Sequence, residues 1–395
     1  MRVLMVSDVY FPRINGVSTS IETFRGCLAE EGVDVRLVVP AYGGEAQVAG
    51  VTRVPGRPVP GDAEDRFVRW RAMHRAVAEA AAGCDLIHIQ TPFVAHYAGL
   101  AAARRAELPV LATYHTLFEE YLHHYAPLLP ATLLRAAARQ LSRRQCNALD
   151  GIVVPSTAMR DRLAEYGVVA PMHVLPTGIP LARFGIGDGE AFRARHGIRP
   201  ERPVALYVGR VAHEKNIDFL IRALQVALRS APDVLLLVTG EGPALPALRA
   251  QVESAGLAGS VRFLGYLDRH RELPDCYAAA DVFVFASRTE TQGLVLLEAM
   301  AAGVPVIALS AMGTTDILGA GKGCLVPSDD VTAFGQTLAH FFAHRAVWGH
   351  LQREAREFAR EWSDAAMAER LASLYRELRR THRAASLERL AIGGI

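Results

Sequence analysis

Residues 281–302 read Asp-Val-Phe-Val-Phe-Ala-Ser-Arg-Thr-Glu-Thr-Gln-Gly-Leu-Val-Leu-Leu-Glu-Ala-Met-Ala-Ala, and this stretch decides the fold class. The apolar run 281–286 predicts a buried parallel strand, and the apolar run 294–302 predicts the helix that follows it. Glu290 is therefore expected in a strand-to-helix loop. Glu298 is expected slightly more than one turn into the helix.

The start of this helix predicts a site for a ligand that carries both phosphate and hydroxyl groups. Gly293 and Leu294 lie where a helix offers backbone N–H groups and the positive end of its dipole, which suit a phosphate. The carboxylates of Glu290 and Glu298 accept hydrogen bonds from hydroxyls. A nucleotide-sugar combines the two kinds of group. The Glu-x7-Glu spacing is weak alone, and its place after an apolar strand makes it specific.

The first half of the chain alternates apolar strands with helices. Strands are predicted at Val3–Ser7, Val35–Val39, Leu86–Gln90, Val110–Tyr114 and Gly151–Pro155. Helices are predicted at about 18–31, 66–82, 132–147 and 157–166. This alternation is typical of a parallel sheet with helices on both faces.

The second half repeats the pattern. Strands are predicted at Val204–Val208, Val234–Thr239, Val261–Leu264, Val282–Phe285 and Pro305–Leu309. Helices are predicted at about 216–230, 243–255, 272–280, 294–302 and 330–343. We therefore expect an α/β protein with two Rossmann-like, doubly wound domains that face each other across a cleft.

The domain boundary is predicted after Pro176-Thr-Gly-Ile-Pro180, because the Gly- and Pro-containing segment up to Arg202-Pro203 has no strand pattern. The N-terminal domain is then 1–180 and the C-terminal domain 181–378. Residues 379–395 form a helical, Arg/Glu-rich tail whose end, from Leu387, is expected to be partly disordered.

Composition excludes several classes of protein. The 395-residue chain has a net charge of +2, which favours no nucleic-acid partner. Its five cysteines lack Cys-x-x-Cys spacing, so a disulfide framework or a zinc site is not expected. The expected location is a reducing cytoplasm. Met1–Asp8 predicts a strand and not a signal peptide. No apolar run approaches the length of a spanning helix, so any membrane contact is expected to be peripheral.

Four segments together resemble one family. Residues 287–300 resemble the motif of the retaining nucleotide-sugar glycosyltransferases of the GT-B fold, known as glycosyltransferase family 4. Residues 10–17 (Tyr-Phe-Pro-Arg-Ile-Asn-Gly-Val) resemble its N-terminal glycine loop. Residues 209–216 resemble its Arg/Lys diphosphate clamp, and 238–243 the strand end that follows. The segments occur in family order and cover most of the chain. The resemblance implies that the closing helix of the C-terminal domain, near 360–378, crosses back to the N-terminal domain.

The resemblance implies that Arg210 and Lys215 bind and neutralise a diphosphate. No metal or other cofactor is then expected, since no Asp-x-Asp occurs in a suitable loop. Lys215 is one of only two lysines among 43 basic residues, which favours a functional ammonium over chance survival. Gly16 would let the backbone approach a substrate, with Ser18 or Thr19 as the helix cap, or it is an ordinary turn glycine.

Two further residues have roles implied by the resemblance. His115 follows the apolar run 109–114 and matches the family's Thr-x-His-Thr histidine, which contacts the donor sugar near the reacting carbon. The alternative is a structural histidine. The loop Gly265-Tyr266-Leu267 is implied to hold the nucleotide base, where Tyr266 either stacks on the base or packs against the protein.

Two stretches of the first half suggest a lipid acceptor. Residues 66–75 and 118–147 combine aromatic residues with arginines, and the second contains Arg135, Arg139, Arg143 and Arg144. A basic amphipathic helix of this kind binds an anionic membrane surface, or packs on the sheet with solvated arginines. Residues 113–125 and 174–179 also resemble bacterial diacylglycerol glucosyltransferases.

The sequence thus predicts a retaining hexosyltransferase that uses a nucleoside diphosphate sugar, with UDP-glucose favoured. The predicted acceptor is a lipid such as diacylglycerol, at the inner face of the plasma membrane. The alternatives are a transferase that uses GDP-mannose or another nucleotide-sugar on a soluble or polyprenyl-linked glycan, a sugar-nucleotide 2-epimerase, and a non-catalytic nucleotide-sugar-binding subunit. A dehydrogenase is not expected, because no Gly-x-Gly-x-x-Gly follows the first strand.

Overall fold

The computed structural model describes residues 1–59, 62–115, 131–346 and 348–392. The chain forms two compact units. The first comprises Met1–Gly178 together with the C-terminal segment from Asp364, and the second comprises Ile179–Ser363. Of the stretch 118–147 singled out in the sequence, the part up to 130 lies outside the described residues.

The first unit is built on a seven-stranded sheet in which all neighbouring strands run parallel. Its strands are β1 (Arg2–Val6), β2 (Asp34–Pro40), β3 (Val51–Val54), β6 (Leu86–Ile89), β7 (Val110–Thr113), β8 (Gly151–Val154) and β9 (Met172–Val174). The order across the sheet is β3-β2-β1-β6-β7-β8-β9. The five predicted strands are confirmed, and β3 and β9 are short strands that periodicity missed.

A two-stranded antiparallel hairpin, β4 (Gly56–Val59) and β5 (Asp62–Val68), accompanies this sheet. The prediction of a helix over 66–82 is wrong at its start, because Phe67 and Val68 pair with β4. The helix begins only at Trp70. The helices of the first unit are α1 (Gly16–Leu28), α2 (Trp70–Ala80), α3 (Val94–Ala106), α4 (Ala131–Cys146), α5 (Thr157–Glu165) and α15 (Asp364–Ile392).

The C-terminal helix α15 is part of the core of the first unit. Met367, Leu371 and Tyr375 recur at helical spacing, are fully buried, and lie in one cluster with Ile21 and Leu28 of α1. Burying such a side chain contributes about 1.5–3 kcal/mol. Helix α15 belongs to the first unit and continues to Ile392, beyond the closing helix predicted near 360–378.

The second unit contains a six-stranded parallel sheet in the order β12-β11-β10-β13-β14-β15. All five residues of β10 are buried, because helices cover both faces of a central parallel strand. The strands are β10 (Val204–Val208), β11 (Leu235–Thr239), β12 (Val261–Gly265), β13 (Val282–Phe285), β14 (Val306–Ala308) and β15 (Cys324–Leu325).

The helices of the second unit include all five that the sequence predicts. They are α6 (Leu181–Phe184), α7 (Gly189–Arg195), α8 (Ile217–Ala227), α9 (Leu245–Ser254), α10 (Glu272–Ala278), α11 (Leu294–Ala301), α12 (Thr314–Leu318), α13 (Val331–Ala343) and α14 (Gly349–Arg360). The short α6 and α7 occupy the segment that lacked a strand pattern. Their Phe184 and Phe192 are buried in the core of this unit.

Helices α8 and α13 pack closely because α13 has a glycine at the contact. A Cβ atom on Gly335 would lie 2.5 Å from the carbonyl oxygen of Ala223 and 2.6 Å from the Cβ of Val226. By contrast, a Cβ on Gly26 in α1 would meet nothing within 4 Å. Both glycines are helical, so they differ in packing and not in backbone conformation.

We expect Gly335→Ala and Gly26→Ala to change stability in opposite directions. Alanine at 26 should stabilise the protein by about 0.5–1 kcal/mol, because it lowers the entropic cost of a helical glycine. Alanine at 335 should destabilise it by about 1–3 kcal/mol, because overpacking outweighs that gain. Differential scanning calorimetry measures the stability of both variants. Stabilisation by Gly335→Ala would contradict the close helix contact.

Candidate active site

The carboxyl ends of β10 and β13 are the natural place for a site in the second unit. Strand β10 pairs with β11 on one side and β13 on the other, so the chain direction across the sheet reverses here. Ligands of open α/β sheets bind at such a switch point. The loop after β10 contains Arg210 and Lys215, and the loop after β13 contains Glu290 and Gly293.

The loops after β10 and β11 touch through their backbones. A Cβ atom on Gly240 would lie 2.0 Å from the carbonyl oxygen of Gly209, and one on Gly242 would lie 2.3 Å from that of Val211. The amide of Val211 also donates to the carbonyl of Glu241 at 2.8 Å. Both positions therefore require glycine, and the loop that precedes Lys215 is held rigidly.

Two hydrogen bonds tie the loop after β10 to the end of β13. His213–Lys215 form a single 3-10 turn, and Asn216 follows in the left-handed conformation, which asparagine tolerates. The side-chain amide of Asn216 donates to the carbonyl of Ala286 at 3.0 Å. The hydroxyl of Ser287 donates to the carbonyl of Glu214 at 3.2 Å. The two loops thus form one structural element.

Lys215 and Glu290 form an ion pair at this junction. The Nζ atom of Lys215 lies 2.7 Å from Oε2 of Glu290, and each side chain is 21% exposed, so a ligand can reach both. Arg210 is more open, with its side chain 60% exposed and its guanidinium 3.7 Å from Glu214. The structure therefore brings Lys215 and Glu290 together, and Arg210 lies five residues before Lys215 in the same loop.

A buried tyrosine is hydrogen-bonded to the backbone of the loop after β10. The hydroxyl of Tyr207, on β10, donates to the carbonyl of Arg210 at 3.1 Å. Burial raises the pKa of Tyr207 well above its ordinary value, and the nearby carboxylates of Glu290 and Glu214 raise it further. Tyr207 is thus a neutral donor that orients the backbone at Arg210. In the sequence, Tyr207 is identifiable only as part of a predicted strand.

The loop after β13 ends at the N-terminus of α11. Gly293 has a φ of +89° and precedes Leu294, the first residue of the helix. A Cβ on Gly293 would come within 3.2 Å of Thr314, so both the conformation and the space favour glycine. The positive end of the α11 dipole lies at this point, as the sequence predicts.

Glu298 lies one turn further along α11 and is buried, at 2% exposure. Its carboxylate pairs with the guanidinium of Arg269 and accepts a hydrogen bond from the hydroxyl of Tyr277 at 2.9 Å. The charge of Glu298 raises the pKa of Arg269, and burial, followed by Glu298, raises that of Tyr277. Neither partner was anticipated, although Arg269 follows a strand end, where functional residues concentrate.

Tyr266 lies at the same edge of the sheet, directly after β12. Its side chain is 58% exposed, and the preceding Gly265 has a φ of +75°. An exposed ring on a loop anchored by glycine can stack on a ligand. Within the described residues, no three His, Cys, Asp or Glu side chains are arranged to hold a metal ion.

In the first unit, the glycine loop leads into α1. Gly16 is the first residue of α1, and a Cβ there would meet nothing within 4 Å. The helix cap is Asn15, whose side chain accepts from the amide of Ser18 at 2.9 Å. The predicted cap at Ser18 or Thr19 is therefore wrong. Ser18 instead completes a capping box by accepting from the amide of Asn15.

His115 lies two residues beyond β7 in the first unit. Its Nε2 atom is 3.0 Å from Oε1 of Gln90, which follows β6. Burial lowers the pKa of His115 to about 4, so its imidazole is neutral near pH 7. Two residues beyond β1, which neighbours β6, Asp8 accepts a hydrogen bond from the amide of Ala95 at the start of α3. Burial raises the pKa of Asp8 to about 6.

The arginines of α4 are all exposed: Arg135, Arg139, Arg143 and Arg144. Arg139 lies over the ring of Tyr166 at 5.3 Å, and the guanidinium of Arg143 lies beside Gly167. The helix therefore presents a basic face next to the turn after α5. None of the described helices is both long and apolar enough to cross a bilayer.

A second exposed surface of the first unit is aromatic and basic. Trp70 at the start of α2 is 52% exposed, and its ring centroid lies 5.6 Å from that of Tyr97 on α3, which is 40% exposed. Arg71 and Arg75 are exposed on the same helix as Trp70. The stretch 66–75 therefore does not bury its aromatic residues as a core helix would.

Two family models match the chain. The model described as "Glycosyltransferase Family 4" matches residues 14–183, and the one described as "Glycosyl transferases group 1" matches residues 188–362. Together they cover most of both units.

Individual proteins are also similar. An alpha-monoglucosyldiacylglycerol synthase of Streptococcus pneumoniae is 34% identical over 78% of this chain and 71% of its own. A GDP-mannose-dependent alpha-mannosyltransferase of Mycobacterium tuberculosis is 29% identical over 87% and 88%. Among solved structures, sucrose-phosphate synthase of Thermosynechococcus elongatus matches with a TM-score of 0.76 and 22% identity, over 95% of this chain and 98% of that one.

The motifs of both units, the two family models and the sequence identity to the pneumococcal protein agree with one another. The chain belongs to glycosyltransferase family 4 and is a glycosyltransferase of the GT-B fold.

Proposed function

We propose that the protein transfers a hexose from a nucleoside diphosphate sugar, with UDP-glucose as the favoured donor, to a lipid such as diacylglycerol at a membrane surface. The observation that carries the proposal is the Lys215–Glu290 ion pair at the carboxyl ends of β10 and β13, beside the N-terminus of α11. This junction offers donors for a diphosphate and an acceptor for sugar hydroxyls within one hydrogen-bond distance of each other.

The diphosphate is assigned to Arg210, Lys215 and the start of α11. A lysine ammonium has three N–H donors, and one of them reaches Glu290, so two remain for phosphate oxygens. Arg210 adds a planar fork that suits bidentate contact with phosphate. As the bond between the sugar and the diphosphate breaks, negative charge grows on the leaving oxygen, and these fixed cations stabilise it. Their charge supports a reaction without a metal cofactor.

The sugar is assigned to Glu290. Its carboxylate lies 2.7 Å from the ammonium of Lys215 and can accept hydrogen bonds from hydroxyls. The family resemblance adds Gly16 as a donor-binding residue and His115 as a contact to the sugar. It also implies retention of configuration. In that reaction the acceptor oxygen bonds to the anomeric carbon on the face that the diphosphate leaves, and the acceptor proton passes to the leaving phosphate.

The nucleoside is assigned to Glu298 and Tyr266. Glu298 is held by Arg269 and Tyr277, yet a carboxylate has about four lone-pair directions, so it can still accept from ribose hydroxyls. The exposed ring of Tyr266 suits stacking on the base.

The lipid acceptor is supported by the exposed surfaces of the first unit. Tryptophan and tyrosine side chains favour the interface between lipid headgroups and acyl chains, and arginines bind anionic headgroups. Trp70, Tyr97 and the arginines of α2 and α4 have this chemistry. The name of the pneumococcal relative couples glucose to diacylglycerol.

GDP-mannose is the second candidate donor, because the mycobacterial relative is named for it. Thermal-shift measurements with UDP, GDP, UDP-glucose and GDP-mannose separate the candidates. A radiolabelled transfer assay with lipid extract and with soluble glycans then identifies the acceptor. Stabilisation by GDP alone, or label that enters only a soluble glycan, would overturn the proposed donor or acceptor respectively. Free nucleotide and sugar without any acceptor would indicate an epimerase.

We expect Lys215→Ala and Glu290→Ala each to lower turnover by at least about 100-fold, because each removes a charged contact to the donor. Lys322→Ala is the matched control, since Lys322 forms an exposed ion pair with Glu361 and such pairs contribute little. Circular dichroism checks that the fold is kept. If either site variant transfers near the wild-type rate, the substituted residue is not part of the active site.

We expect Glu298→Ala to weaken binding of the free nucleoside diphosphate by about tenfold or more, because a hydrogen bond to a charged group contributes about 1.5–3 kcal/mol. Isothermal titration calorimetry measures the affinity. Glu357→Ala, at an exposed position on α14, is the control. Unchanged affinity in Glu298→Ala would reduce Glu298 to a structural partner of Arg269.

We expect replacement of Arg135, Arg139, Arg143 and Arg144 by Gln to lower partitioning onto anionic vesicles by up to about a thousandfold. The effect should shrink as salt is raised. Co-sedimentation with anionic and with neutral vesicles measures it. Transfer to a detergent-solubilised acceptor should change much less.

The matched control for this variant removes four exposed arginines of the second unit: Arg222, Arg229, Arg353 and Arg360. It lowers the net charge equally without touching α4. If both fourfold variants sediment like wild type, the α4 arginines are only solvated, and a soluble acceptor becomes the better proposal.

A further inference from the structure

Strands β6 and β7 of the first unit share a row of polar side chains that leads to His115. His88 on β6 places its Nε2 atom 2.7 Å from the hydroxyl of Thr113 on β7. Two residues further along each chain segment, just past the strand ends, Oε1 of Gln90 lies 3.0 Å from Nε2 of His115. Because side chains alternate along extended chains, the two pairs are stacked on the same side of the sheet.

The row is anchored at its other end by the C-terminal helix. Nδ1 of His88 lies 2.6 Å from the hydroxyl of Tyr375 in α15, and both residues are almost fully buried. His88 is therefore hydrogen-bonded on both ring nitrogens. The polar row fixes the spacing of β6 and β7 just before the strands end.

Gln90 is itself buried, at 4% exposure, so its amide is held in place. An amide oxygen only accepts hydrogen bonds. The contact at 3.0 Å therefore requires His115 to donate through Nε2–H. In a neutral imidazole the other nitrogen, Nδ1, then carries the lone pair and is the acceptor.

The chemistry of glutamine at this position differs from that of a carboxylate. A carboxylate beside Nε2 would stabilise the imidazolium and raise the pKa of His115. The neutral amide orients the ring without adding charge, and burial keeps the imidazole neutral. A buried glutamine is costly unless it is hydrogen-bonded, so a residue chosen only for packing would more simply be apolar.

We propose that Gln90 is a positioning residue for His115, which it holds in the Nε2–H tautomer so that Nδ1 can accept a hydrogen bond from a hydroxyl of the transferred sugar. This inference rests on the proposed function, because it assumes that His115 contacts the sugar. Gln90 touches His115 and acts on the reaction only through it.

The tautomer can be measured without any activity assay. Long-range ¹H–¹⁵N correlation spectra of ¹⁵N-histidine-labelled protein distinguish Nε2–H from Nδ1–H imidazoles, and the His115 signals are those absent from the His115→Asn variant. We expect the Nε2–H pattern in the full-length wild-type protein. An Nδ1–H pattern, or a mixture of the two tautomers, would overturn the proposal.

Kinetics of three variants test the consequence. Gln90→Met keeps the volume but removes the amide, and we expect turnover to fall by about 10–100-fold, as is typical when a partner that orients a functional group is lost. The KM for the nucleotide-sugar should change by less than about threefold. Gln145→Met is the matched control, because Gln145 is also buried but donates to the carbonyl of Pro92.

Gln90→Glu provides a second test of the proposal, and because Glu and Gln have nearly the same volume it leaves no cavity. We expect the NMR titration of His115 to move upward by at least about one pH unit, since a carboxylate favours the imidazolium. If His115 titrates as in wild type, or if Gln90→Met and Gln145→Met lower turnover equally, Gln90 only packs. Normal transfer by His115→Asn would instead contradict the sugar contact in the proposed function, whatever the tautomer.

Discussion

Parallel strands impose the constraint on which the site of the second unit depends. Each strand must be followed by a crossover to the other end of the sheet, so all loops that follow strands collect at one edge. Because β10 is bonded to both β11 and β13, the loops after these strands are neighbours. Lys215 and Glu290, which are 75 residues apart in the chain, meet for this reason. The bonds from Asn216 and Ser287 then fix the distance.

The same pairing bears on the kind of ligand that the proposed site would bind. Each cation has a carboxylate within 4 Å, Lys215 with Glu290 and Arg210 with Glu214, so the formal charges of the four side chains cancel. A simple anion would be attracted by the two cations but repelled by the two carboxylates. A ligand that brings hydroxyls together with its phosphates satisfies both sets of groups. This balance of charge supports the proposed nucleotide-sugar as the ligand, in preference to inorganic phosphate.

Sequence patterns predicted the sheet and the cations well, because both are local. Runs of apolar residues mark buried strands, and the position of a strand end is enough to place Lys215, Glu290 and Gly293 at one edge. The hairpin β4–β5 was missed because its pairing, and not its periodicity, decides that 66–68 are a strand. The partner of Glu298 was missed because Arg269 is 29 residues away in a loop without a repeating pattern.

The first unit is completed late in the chain. Its core includes Tyr375, whose hydrogen-bond partner His88 precedes it by 287 residues, and the whole second unit lies in the interval. At a synthesis rate of about 5–20 residues per second, the ribosome needs roughly 15 to 60 s to supply that helix. The surface of the nascent first unit against which α15 packs is therefore exposed while the second unit emerges and folds. Domains usually complete folding in the order of their synthesis. Here the domain whose synthesis begins first is the last to be completed.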